Sequence, residues 1–172
     1  LPEYPERLSD LASIDLSVMD KRILDCDLTV LCDVENPLLG EQGAATVFGP
    51  QKGATEEGVK KLEAALAKLS QVCFYQTGRE ISAVKYGGTA GGAAAGLYAF
   101  LHAKLVNGID HFLGMTGFDE VLTKTDLVIT GEGSIDEQTL KGKGPYGVAC
   151  RAKKRGLPVI ALAGSVPLKE NK

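Results

Sequence analysis

The chain has 172 residues, 44% apolar and 24% charged, which suits one domain, or one and a piece of another, with the charge content of an ordinary soluble protein. A net charge of -3 and 6% aromatic residues without Trp argue against nucleic acid as the main partner. Four cysteines without a C-x-x-C pair and only two histidines, His102 and His111, argue against a zinc site, and no apolar run approaches the ~20 residues of a membrane span. The thiols read as small buried hydrophobes of a reducing compartment, so the expected location is cytoplasmic, with no membrane partner.

Residues 1–25 mix scattered apolar side chains with Pro2 and Pro5 and read as a lead-in of short turns. Leu28 to Cys32 reads as a strand, followed at once by Asp33, Val34, Glu35, Asn36 and Pro37. On extended backbone Asp33 and Glu35 point to one side, where they suit Mg²⁺ or a ligand hydroxyl; an Asx-type turn closing on Pro37 is the plainer alternative. A glycine-rich stretch, FGPQKGA at 48–54, places Lys52 between turn residues, where it could meet an anion or simply face solvent. Thr55 then caps a predicted helix with Glu56 and Glu57 in its first turn. Its apolar stripe is Val59, Leu62, Leu66 and Leu69, spaced 3, 4 and 3. Gly87 to Gly96 contains no G-x-G-x-x-G and no preceding strand, so it reads as a loop opening a tightly packed helix, with Leu97, Phe100, Leu101 and Leu105 in the core.

The most informative stretch is 126–164. Leu127 to Ile129 and Pro158 to Ala163 are two apolar strand candidates, and Pro145 begins a helical pattern that ends with basic residues and Gly156. This predicts a βαβ unit with parallel strands. The connection from Thr130 to Gly144 is far longer than the ~2–6 residues of most such loops. It carries Gly131, Gly133, Gly142 and Gly144 with Glu132, Asp136, Gln138, Lys141 and Lys143. Ligands of open α/β sheets bind where strands end and helices begin, and a helix N-terminus favours anions. Glycines permit close backbone approach, lysines supply cations, and carboxylates can hold a metal, so the stretch suits a phosphate. The Walker and protein-kinase signatures are absent.

Four motifs in one order, CDVENPL at 32–38, VFGPQKGA at 47–54, GTAGG at 88–92 running into Gly96, and DLVITGEG at 126–133 with Asp136, Gln138, Gly142, Lys143 and Pro145, make the chain resemble the type 1 glycerate kinases of bacteria. The resemblance spans nearly the whole chain. It implies an α/β fold in which residues 1–118 form an inserted domain and 119–172 part of a Rossmann-like parallel-sheet domain. It also implies transfer of the ATP γ-phosphoryl group to a hydroxyl of D-glycerate, with ATP and Mg²⁺ as cofactors. On that pattern Asp33, Asp136 and Lys143 are the expected catalytic residues. Asn36, Lys52, Gly131, Glu132, Gly133, Gln138, Lys141 and Gly142 are expected to bind substrate or phosphate, and Asp136 and Glu132 to hold the metal. Similar proteins carry further N-terminal and C-terminal segments needed to complete the sheet, so this segment alone is expected to be inactive. A non-enzymatic phosphate- or nucleotide-binding α/β module is the alternative.

Overall fold

A computed structural model describes residues 5–137 and 139–167. In chain order the elements are strand β1 (Thr29–Cys32), helices α1 (Ala44–Phe48), α2 (Glu56–Thr77) and α3 (Ala93–Leu101), and strand β2 (Lys104–Asn107). They continue with helices α4 (Gly108–Met115) and α5 (Phe118–Val121), strand β3 (Val128–Ser134), helix α6 (Gly144–Lys154) and strand β4 (Val159–Ser165). The protein is therefore mixed α/β, and its backbone divides into two compact units, residues 1–106 and 107–172.

The first unit is organised by α2. Thr55 Oγ1 accepts from the Gly58 N–H at 3.1 Å, satisfying one of the donors a helix start leaves open, and Gly78 ends the helix in the left-handed conformation. The expected stripe turns inward: Leu66 is buried and Val59, Leu62 and Leu69 are half-buried. Around them Leu38, Ala44, Ala45, Cys73, Ile81, Ala95 and Ala99 form the core. Burial pushes the Cys73 thiol up to about 11, so it stays protonated near neutral pH.

On α3 the structure corrects part of the expected core: Phe100 packs against it as expected, but the buried positions differ. Ala94, Ala95 and Ala99 face inward, whereas Leu97 is 39% exposed and Leu105 belongs to β2. The reason is separation. Leu38 packs so near the start of α3 that a Cβ on Gly92 would lie 2.7 Å from its Cδ1, and Gly92 also holds φ at +102°. At that distance only small side chains fit beneath the helix. Strand β2, unforeseen from the sequence, joins β1 in a two-stranded sheet, and the Lys104 N–H donates to the Leu28 carbonyl at 2.8 Å.

The second unit contains the expected βαβ arrangement. β3 and β4 are parallel, in register from Val128↔Val159 to Ser134↔Ser165. α6 covers one face, burying Val128 and Ala152 with Leu122, while Val148, Leu157 and Val159 close around them. Arg151, on α6, ties this layer together. Its guanidinium donates to the Asp119 carboxylate and, at 2.7 Å, to the Asp110 carbonyl, so α4 and α5 are both held to α6. The opposite face of the sheet carries Ile129, Ile160 and Leu162, exposed by 61%, 47% and 61%. No described helix is long and apolar enough to cross a membrane.

Candidate active site

The expected site residues fall into two groups, one in each unit. In the first, β1 runs directly into the 33–37 loop, which is stapled by three successive carbonyls. Thr89 Oγ1 donates to Val34 at 3.3 Å, the Tyr86 N–H to Glu35 at 3.3 Å, and the Gly88 N–H to Asn36 at 2.9 Å. The contact requires glycine, because a Cβ at position 88 would sit 2.5 Å from the Pro37 carbonyl oxygen. Asn36 spans the loop by donating from Nδ2 to the Gln42 carbonyl at 2.8 Å.

Within this frame Asp33 is exposed at the end of the strand, while Glu35 pairs with Lys85 at 3.0 Å. The Glu35 carboxylate, assisted by Tyr86, holds the Lys85 ammonium above its ordinary value. The two acids, expected side by side, thus differ in environment: Glu35 is neutralised by a neighbour, and Asp33 lies in the open. Lys52 ends an exposed turn, Pro50–Lys52, closed by Gly53 at φ +88°.

In the second group the expected long loop is shorter. β3 continues through Ser134, so Gly131, Glu132 and Gly133 are strand residues, because the parallel ladder with β4 extends to Ser165 and draws them in. Strand alternation puts Glu132 on the half-buried face that carries Val128, and Gly131 and Gly133 on the exposed one. The chain then turns through Asp136 and Thr139. The Asp136 N–H donates to Thr139 Oγ1 at 3.2 Å, and the Thr139 N–H returns to Asp136 Oδ1 at 3.0 Å. This reciprocal pair has the logic of a capping box.

Thr139, only 2% exposed, is the centre of the group. Its hydroxyl donates to Glu132 Oε1, with Asp136 Oδ1 and the Ser134 carbonyl each 3.4 Å away. Two carboxylates are thus drawn to one hydroxyl. Its role was not read from the sequence, although the D-x-x-T spacing at 136–139 is the available signal. The Thr139 carbonyl receives the N–H groups of Gly142 and Lys143, both at 3.3 Å, so the Gly142 amide is already bonded within the turn.

Lys143 is half-buried at the N-cap of α6, whose first turn contains Pro145 and has no side-chain cap hydrogen bond. The open donors of that turn and the helix dipole make an anion-binding end beside a lysine. Gln138 and the Lys141 side chain lie outside the described residues. Among the described residues no group of three or more His, Cys, Asp or Glu is placed to hold a metal. A cation here therefore has at most two carboxylates, Glu132 and Asp136, from those residues. That donor set suits Mg²⁺, which takes one or two carboxylates and completes its shell with water and phosphate oxygens.

A parallel βαβ unit with an uncapped, lysine-flanked helix start after paired carboxylates defines an α/β protein with the parts for handling phosphate. The glycerate kinase family model matches residues 1–172, and the chain belongs to that family. It is 49% identical to a glycerate kinase of Halalkalibacterium halodurans over 93% of this chain and 42% of that protein. Against the glycerate 2-kinase of Escherichia coli it is 44% identical over 92% of this chain and 42% of that one. The crystal structure of a protein assigned as glycerate kinase 2 from Salmonella typhimurium LT2 superposes with a TM-score of 0.70 at 44% identity, covering 92% of this chain and 45% of that one. The chain spans less than half the length of the curated relatives it matches.

Proposed function

We propose that the protein containing this chain transfers the γ-phosphoryl group of ATP to a hydroxyl of D-glycerate. The observation that carries this reading is the start of α6, where Glu132 and Asp136 meet at the Thr139 hydroxyl and the N–H of Lys143, at the uncapped helix end, reaches the Thr139 carbonyl. Residues 1–118 are assigned to an inserted domain and 119–172 to part of a Rossmann-like domain. The uncovered Ile129, Ile160 and Leu162 face supports a sheet completed by further segments of the same protein, without which this segment is inactive. A cytoplasmic location follows from the substrate class.

Phosphoryl transfer asks a protein chiefly for positioning and charge neutralisation. The first-turn N–H groups of α6 receive nonbridging phosphate oxygens, and Lys143 neutralises them. Gly142, in the turn that leads into α6, keeps the backbone bare of a side chain beside the phosphates. Glu132 and Asp136 would hold Mg²⁺, which would supply further charge neutralisation to the phosphates. Asp33 accepts the proton of the attacking hydroxyl, and Asn36 fixes the loop that presents it.

A coupled ADP-release assay on the intact protein tests this. ADP formation that depends on D-glycerate is the expected result. Nucleotide binding without glycerate-dependent turnover contradicts the proposal and favours a binding module.

A further inference from the structure

The first unit contains a groove of about 340 Å³ that none of the residues assigned to ATP or glycerate lines. It is lined by Arg79, Lys85, Tyr86, Tyr98, His102 and Lys104 together with aliphatic residues that include Leu105. Among the described residues lining it there is no carboxylate, while Arg79, Lys85 and Lys104 bring three positive charges. The volume falls within the ~300–1,000 Å³ of small-molecule sites, which are mostly apolar with a few fixed polar groups.

Arg79 is such a fixed group. Its Nη1 donates to the Tyr98 carbonyl at 2.6 Å, and its guanidinium lies 4.8 Å from the Tyr98 ring centroid. Held at one nitrogen and stacked on one face, it keeps other N–H donors in a rigid fork, the geometry that recognises carboxylate and phosphate. Lys85 lies 4.9 Å from the Tyr86 ring centroid and pairs with Glu35, while Lys104 pairs with Asp27 at 3.5 Å through a side chain 72% exposed. Neither acid lines the groove, and exposed pairs of this kind are weak enough for a ligand anion to compete with.

Two lining residues also hold uncommon backbone conformations, Tyr86 at φ +70° and His102 at φ +57°. Left-handed non-glycine residues persist where their surroundings fix them, and they concentrate at functional sites. Here they present a tyrosine and a histidine from two separate segments to one cavity.

We propose that this groove binds a small organic anion carrying phosphate or carboxylate groups, at a site separate from the one assigned to ATP and glycerate. The two chemistries are separated by probe. Isothermal titration of the intact protein with inorganic pyrophosphate and, in a second arm, with citrate reads each of them. Lys104→Glu is the informative variant, since its exposed side chain can be changed without disturbing the core. Lys143→Ala reports on anion binding at α6. The expected result is that at least one probe binds, that its Kd rises about tenfold in Lys104→Glu, and that it stays within about twofold of the parent value in Lys143→Ala. Absence of binding by both probes at millimolar concentration, a Kd little changed in Lys104→Glu, or an equal loss in Lys143→Ala overturns the proposal. Neither reading depends on the other, because the glycerate assay is scored by turnover and this one by binding.

Discussion

Replacing Asp136 by Asn is expected to lower kcat of the intact enzyme at least ~100-fold, the usual scale for removing a positioned acid–base or metal-holding carboxylate. Asn retains a carbonyl oxygen that can still accept from the Thr139 N–H, so the reciprocal turn between residues 136 and 139 survives. What disappears is the negative charge. The loss should appear in kcat more than in the KM for D-glycerate. A second sign should accompany it: the Mg²⁺ concentration giving half-maximal rate should rise. Steady-state rates over a range of Mg²⁺ check both, and a near-normal kcat removes Asp136 from the catalytic set.

Leu38→Ala is expected to destabilise the first unit by about 3 kcal/mol, within the ~2–5 kcal/mol typical of emptying a buried leucine site. Leu38 is completely buried, two residues beyond Asn36, and touches both the start of α3 and the α2 layer. Relaxation is restricted because half of the buried cluster it belongs to, Ala44, Ala45, Ala95 and Ala99, has no side-chain length with which to refill the space. The 33–37 loop hangs from this anchor, so its carbonyl staples to Tyr86, Gly88 and Thr89 should loosen as well. Urea unfolding of the variant reads the loss as a lower midpoint at unchanged slope. A change below about 1 kcal/mol contradicts the packing described.

The elements that the sequence made legible are those whose local signals agree. α2 has a Thr cap, an acidic first turn, one apolar stripe and a closing glycine. The βαβ unit has two apolar runs flanking a helix that begins at a proline and is followed by Gly156. Other features were set by partners distant in sequence. β2 is only four residues, KLVN, and its strand character comes from pairing with β1 across the whole of α1 to α3. The inward face of α3 was decided by how near Leu38 comes, which favours alanine over leucine against the usual expectation. Gly131 and Gly133 carry a loop composition, yet the ladder to β4 keeps them in a strand.

The candidate site divides in the same way. Its acidic and basic residue types can be read directly along the chain, but which acid is neutralised cannot. Lys85 stands fifty residues from Glu35, and only the fold brings the two within 3.0 Å. The hydroxyl of Thr139 joins Glu132 to Asp136 because β3 extends beyond its expected end and the following turn folds back upon it. Thr89 was visible as part of a glycine-rich run, while its bond to the Val34 carbonyl depends on tertiary approach.

The measurement that bears most directly on the assigned phosphate site is a crystal structure of the intact protein with Mg²⁺ and a non-hydrolysable ATP analogue. The terminal phosphate should lie within about 3 Å of an N–H in the first turn of α6, with Lys143 Nζ on the same phosphate and Glu132 or Asp136 on the cation. An analogue bound elsewhere, with the start of α6 closed by protein atoms and Lys143 turned to solvent, contradicts the assignment.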